Sequence, residues 1–362
     1  MNIRKSLIAL MLLLVVSSCS VPDGTVIEDC TSSDKMRVVC GMQSPEDIAV
    51  VEGGDYLLLS ELGDMGERAG RIVLFNVASE EFQAAYPFPS KQANTLDNVQ
   101  GSAECLTPPT AKISPHGSHL VKLKDGSWRY LVVNHGDREA VELFSVQRNE
   151  EGVPHLHWQG CVLPAENTLI NDVVGLSNGD VVYTRMYRPD DFMGQQLGML
   201  IKANTGDVWH WSRAKGPQLL PYTAGSLTNG IEVSADERFV FINQYMNEEV
   251  HKYDLEQQQI VGIAPVPNVD NSAWGPNGEL WLASHTGEVS AMMKCFSDSS
   301  RTCGLAFEIV ALNPDTMETR VVFSHQGPPM GAATVATPLG DKVYLGSFVG
   351  DRLAIVPLSS FK

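Results

Sequence analysis

Six times along this chain a short apolar run meets a turn and is answered by a second apolar run. That recurrence limits the fold more than any other feature. Ile48-Ala49-Val50 turns at Gly53-Gly54 into Leu57-Leu58-Leu59, and Val173-Val174-Gly175-Leu176 turns at Asn178-Gly179 into Val181-Val182-Tyr183. Ile231-Glu232-Val233 and Phe239-Val240-Phe241 flank Asp236-Glu237, and Ser272-Ala273-Trp274 and Leu280-Trp281-Leu282 flank Asn277-Gly278. Two more units begin near His116 and Ala332. β-Branched and aromatic residues on both sides of a tight turn are the grammar of antiparallel hairpins. Unit starts fall near residues 46, 116, 171, 229, 270 and 331, about 57 residues apart on average. With loops included, that spacing suits a radial array of multi-stranded units. The expected fold is all-β: a six-bladed β-propeller over residues 41–358 with a central tunnel. The 31 Gly and 20 Pro then serve as turns. A pair of β-sandwiches is the competing arrangement, and the repetition of one unit favours the propeller.

The first residues read as an address. Arg4 and Lys5 precede an apolar run from Ser6 to Val16, followed by Ser17-Ser18-Cys19-Ser20. The run is too short for a stable membrane span and has the layout of an export signal. A Cys directly after small residues resembles a bacterial lipoprotein signal, with residues 1–18 removed and Cys19 lipidated. An ordinary signal cut near the same place is the alternative. The expectation is an exported lipoprotein on the periplasmic or cell-surface side of a membrane, held by its lipid, with residues 19–40 as an N-terminal linker. Losing Arg4 and Lys5 takes the net charge from −17 to −19. So acidic a chain attracts cations and excludes nucleic acid as a partner. A monomer is expected. Six Cys remain after Cys19, and an exported protein can pair them. Cys30–Cys40 and Cys295–Cys303 would close short loops and leave Cys105–Cys161, the simplest of fifteen pairings.

Each unit start carries a distinctive polar group: Glu46-Asp47, His116, Asn171-Asp172, Asn229-Gly230 and Asp270-Asn271. The first strand of a propeller blade lines the axis, so these residues converge. Carboxylate and amide oxygens are hard ligands suited to calcium. Glu46, Asn171, Asn229, Asp270 and Asn271 supply five oxygens and leave room for water or substrate, as a Lewis-acid ion requires. Strand alternation turns Asp47 and Asp172 away from Glu46 and Asn171, toward a second ion deeper in the tunnel.

These residues resemble the paraoxonase/arylesterase family. Ile113-Ser114-Pro115-His116-Gly117, Leu131-Val132-Val133-Asn134-His135, Val141-Glu142-Leu143-Phe144, Asn171-Asp172-Val173-Val174 and Asn229-Gly230-Ile231 carry the likeness. Pro45-Glu46-Asp47, Val269-Asp270-Asn271 and Ser284-His285 extend it, in the family's order, from about residue 40 to 350. The resemblance implies two calcium ions. The catalytic ion would be held by Glu46, Asn171, Asn229, Asp270 and Asn271, the structural ion by Asp47, Asp172 and a carbonyl near Ser118. It implies His116 and His135 as a histidine dyad and His285 as a pocket residue. One departure is Arg185-Met186-Tyr187, where the family has an acidic segment.

The implied activity is calcium-dependent hydrolysis of a small-molecule lactone or aryl ester. Calcium polarises the carbonyl, and His116, aided by His135, activates water. No H-E-x-x-H, Walker loop or G-x-G-x-x-G offers a competing chemistry. Two other readings remain: a non-catalytic calcium-stabilised propeller that binds a ligand or protein partner, and a sugar lactonase of the gluconolactonase type.

Overall fold

A computed structural model describes residues 23–87 and 99–362. The predicted signal and Cys19 lie outside these residues. The chain forms a six-bladed β-propeller whose blades are antiparallel sheets, blade two adding the short parallel strand Gln100–Gly101. The six inner strands are Pro45–Val50, Pro115–Lys122, Leu169–Gly175, Thr228–Val233, Val269–Trp274 and Ala333–Leu339. They begin where the repeat in the sequence places its units. Each inner strand packs against the next one, and the sixth packs against the first, which closes the ring.

The blades explain why the sequence shows continuous apolar runs rather than strict alternation. Both faces of every sheet are covered by a neighbouring blade. In blade one, Leu57 and Leu59 pack against Tyr344 and Leu353 of blade six. Leu58, between them, packs against Tyr130 and Val132 of blade two. Leu131 and Val133 then face Val173 and Tyr183 of blade three. The same alternation fills the gaps between blades three and four, four and five, and five and six. Each fully buried Leu or Val contributes about 1.5–3 kcal/mol.

The ring is closed by the chain's early residues. Arg37–Cys40 pairs antiparallel with Arg352–Pro357 and completes the sixth sheet. Val26–Ile27 pairs with Thr302–Cys303. The expected linker at 19–40 therefore includes part of the fold, and the propeller begins before residue 41. The reason is edge satisfaction: without Arg37–Cys40, the strand Arg352–Pro357 would leave a row of backbone groups unpaired. Three disulfides, Cys30–Cys40, Cys105–Cys161 and Cys295–Cys303, match the simplest pairing. Two short helices, α1 (Phe192–Leu200) and α2 (Val289–Phe296), follow the second strands of blades three and five. Each second strand runs back toward the start of its inner strand, so both helices lie at the tunnel end where the inner strands begin.

A candidate active site in the tunnel

Every inner strand begins with an irregularity in its pairing. His116-Gly117 stand opposite Val133 alone, between the pairs Pro115–Asn134 and Ser118–Val132. Asn171-Asp172 likewise oppose Thr184, Asn229-Gly230 oppose Asn243, and Asp270-Asn271 oppose Ala283. Glu46 and Thr334 are the extra residues of blades one and six. A β-bulge breaks strict alternation and re-aims side chains. At such bulges plain alternation no longer fixes how Asp47 and Asp172 lie relative to Glu46 and Asn171. All four are buried, and the charges of Asp47, Asp172 and Asp270 each act on Glu46.

The first oxygen set contains Glu46, Asn171, Asn229, Asp270 and Asn271, all buried. Asn271 Nδ2 donates to Glu46 Oε1 at 2.5 Å, joining blade five to blade one. Asn171 Nδ2 meets Met186 Sδ at 3.5 Å, and the Asn229 side chain hydrogen-bonds Asp270. These bonds leave four buried oxygens without a partner: Glu46 Oε2, Asn171 Oδ1, Asn229 Oδ1 and Asn271 Oδ1. Buried polar atoms are rarely left this way, because each costs about 1–3 kcal/mol. Four such oxygens in one axial cluster demand a donor or a cation.

The carboxylates make the same demand. Burial pushes Glu46 well above the usual range, and Asp47, Asp270 and Asp172 push it further. Burial raises Asp270 to about 8, and Asp47 to about 6 despite its hydrogen bonds. Asp172 is also well above its ordinary value, first through burial and then through Asp47. Among the described residues no Lys or Arg forms an ion pair with any of the four; only His116 and His285 approach, at 3.8 Å from Glu46 Oε1 and 3.7 Å from Asp270 Oδ2. The donor set fits a hard divalent cation such as calcium. It is a mixed amide and carboxylate set, and no three His, Cys, Asp or Glu among the described residues form a metal cluster by themselves.

The second set differs. Asp47 Oδ2 accepts from Ser118 N–H at 2.7 Å and from its hydroxyl at 2.9 Å, and Asp47 Oδ1 accepts from Ile48 N–H at 2.8 Å. Asp172 accepts from Val173 N–H at 2.7 Å and Ile231 N–H at 2.8 Å. These carboxylates tie neighbouring blades together, and none of their oxygens is orphaned. Ser118 contributes its N–H and hydroxyl to Asp47 here.

His116 and His135 meet as expected, His116 Nδ1 lying 2.9 Å from His135 Nε2. Burial, and then the neighbouring His135, hold His116 well below the ordinary imidazole range. His135 sits on a rigid loop. Asn134 Oδ1 accepts from Ser114 N–H at 3.0 Å and Gly136 N–H at 2.9 Å, while its amide donates to buried Glu142 at 3.2 Å. Glu142 is held in turn by Arg138 and Trp158. Beyond His135 stands Glu139, whose Oε2 lies 2.8 Å from His135 Nδ1 and whose Oε1 accepts from Ile170 N–H at 2.6 Å.

His285 is fixed between the Tyr245 hydroxyl at 3.0 Å and the Ala333 carbonyl at 3.1 Å. Burial lowers it to about 4, so it is neutral at ordinary pH. Tyr245 and Glu139 carry no signal in the sequence: Tyr245 meets His285 across 40 residues, and Glu139, although only four residues from His135, is fixed by Ile170 across 31. Arg185 turns away from the cluster: it pairs with Asp207 and lies over the Trp209 ring. Met186 is the member of that segment that touches the oxygen set. Two surface cavities, of about 530 and 360 Å³, lie at the hairpin turns around Asn178 and Asp180 and share no residue with the tunnel set.

A six-bladed propeller with an oxygen-lined, acidic axial site flanked by paired histidines is the class that fold and site define. The arylesterase family model matches residues 42–354, and the chain belongs to that family. It is 27% identical over 251 residues to human serum paraoxonase/arylesterase 1, a match covering 66% of each chain. It is 24% identical over 293 residues to the rat protein of that name, covering 77% of this chain and 75% of the relative. Mouse serum paraoxonase/lactonase 3 is 21% identical over 245 residues, 65% of this chain and 66% of the relative. Among solved structures, a luciferin-regenerating enzyme matches with a TM-score of 0.53 at 13% identity, covering 89% of this chain and 95% of that one. A putative gluconolactonase matches with a TM-score of 0.50 at 13% identity, covering 89% and 92%. These two likenesses concern the fold.

Proposed function

We propose that the protein is a calcium-dependent hydrolase of lactones or aryl esters. The observation that carries this reading is the group of four orphaned oxygens, on Glu46, Asn171, Asn229 and Asn271, beside Asp270 and within reach of the His116 ring. Family membership and the printed names of the relatives support the same chemistry. The five side chains of the first set would hold calcium, which supplies Lewis-acid polarisation of the ester carbonyl.

The chain's own residues do the rest. His116 is neutral because it is buried, which leaves one ring nitrogen free to take a proton from water at the tunnel mouth. His135 holds the other ring nitrogen and fixes the ring's orientation. His285, neutral and held by both Tyr245 and Ala333, lines the site beside Asp270 as a fixed pocket wall. Met186 lines the wall beside Asn171 and makes that side apolar. Asp47 and Asp172 repel each other where they meet, and a second calcium there would relieve that repulsion.

A His116→Gln variant tests the assignment with phenyl acetate and a panel of lactones. The expected result is a loss of turnover of about 10²–10⁴-fold, the usual worth of a general base, with calcium affinity retained. Full turnover in the variant would remove His116 from the mechanism. We also infer, from the leader alone, that the protein is exported and lipidated at Cys19. Mass spectrometry of the protein from its own host reads this directly, an unacylated terminus overturning it.

A further inference from the structure

We propose that Glu139 is a positioning residue: it sets the direction of the hydrogen bonds along Glu139, His135 and His116, so that the His116 nitrogen facing the oxygen cluster carries a lone pair. The proposal deepens the hydrolase reading and takes its catalytic meaning from it.

An ionised carboxylate only accepts, and a neutral imidazole has one N–H and one acceptor nitrogen. Glu139 Oε1 is taken by the backbone N–H of Ile170 at 2.6 Å. Glu139 Oε2 faces His135 Nδ1 at 2.8 Å, so Nδ1 carries the proton of that ring. His135 Nε2 is then an acceptor. It lies 2.9 Å from His116 Nδ1, which must therefore carry the proton of the second ring. His116 Nε2 is left with its lone pair, and this is the atom 3.8 Å from Glu46 Oε1. Reversing the chain would put an N–H on that nitrogen and block it as a base.

Glu139 also holds its place independently of the histidines. Its bond to Ile170 N–H spans from the loop of blade two to the inner strand of blade three, one residue before Asn171. One carboxylate thus registers the histidine pair against the oxygen set. When His116 Nε2 takes a proton from water, an O–H bond breaks and an Nε2–H bond forms. The Nδ1–H bond of His116 then breaks as an Nε2–H bond forms on His135. The positive charge comes to rest on His135, opposite the Glu139 carboxylate.

The Glu139→Gln variant separates this role from simple packing. An amide has a single acceptor oxygen. If Ile170 N–H keeps that oxygen, the NH₂ group faces His135 Nδ1 and forces it to accept. His135 must then donate through Nε2 to His116 Nδ1, which places the His116 proton on Nε2. The measurement is ¹⁵N–¹H NMR of histidine-labelled, calcium-loaded full chain, with His116 and His135 assigned by single replacement. Wild type should show both rings protonated on Nδ1, and the variant should show both on Nε2. With phenyl acetate, kcat should fall about 10²–10⁴-fold while KM stays within about threefold.

A wild-type His135 protonated on Nε2 overturns the proposal, whether or not the variant folds. So does a folded variant that keeps the wild-type tautomers. If wild type hydrolyses neither esters nor lactones yet shows the expected tautomers, the positioning role stands and the hydrolase reading fails.

Discussion

The residues that define the site divide by how far away their partners lie in sequence. Glu46, Asn171, Asn229, Asp270 and Asn271 were legible because the same chemistry recurs at successive unit starts. Glu139 and Tyr245 were not: Glu139 stands only four residues from His135, but its tie to Ile170 spans 31 residues, and Tyr245 meets His285 40 residues away. A titration follows from the buried acids. Asp47 at about 6 and Asp270 at about 8 hold protons in the folded, metal-free protein over a range where the unfolded chain, with carboxylates near 4, has released them. Their contribution to stability is therefore largest below about pH 4 and is lost as pH rises through 6 to 8. Glu46 and Asp172 are shifted in the same direction. The melting temperature of chelated protein should fall between pH 5 and pH 8, and added calcium should lift it most at pH 8. A chelated protein equally stable at both values would mean that the four acids are compensated by something else.

At the scale of the strand, the bulge decides which residues reach the axis. Alternation is a sound rule for a regular strand, but each inner strand here departs from it at its first residues. The one trace of this in the sequence is glycine. Gly117 and Gly230 occupy the second bulge position of their blades, where a neighbour comes very close. A Cβ at Gly117 would meet the Asp172 carboxylate and lie 2.6 Å from Asp172 Cα; one at Gly230 would lie 2.5 Å from the Asp270 carbonyl. The obstacle is backbone, so it cannot swing aside. Gly117→Ala should destabilise the fold by about 1–3 kcal/mol, the ordinary cost of overpacking. It should also weaken calcium binding, read by calorimetric titration. An unchanged melting temperature and affinity would show that blades two and three can separate without consequence to the site.

Across the whole molecule, the count of blades and the inner-strand positions were legible, because a buried sheet with two covered faces writes both faces into its sequence. Leu57, Leu58 and Leu59 face partners on two different neighbouring sheets within one run. Closure was not legible. That Arg37–Cys40 completes the sixth sheet depends on pairing between residues more than 300 positions apart, which no local pattern records. The acidity is explained in part: Glu46, Asp47, Asp172 and Asp270 belong to the tunnel, while most of the chain's 43 acids lie elsewhere. What the closed ring accomplishes is convergence, since five blades each deliver one or two polar residues to a single axis. The measurement that tests this account most directly is hydrolysis of phenyl acetate and a lactone followed through metal removal. The protein is stripped with chelator, its calcium content is checked by elemental analysis, and calcium is returned. The account predicts that turnover disappears with the metal and is restored by calcium. Undiminished turnover in protein shown to hold no metal would contradict it.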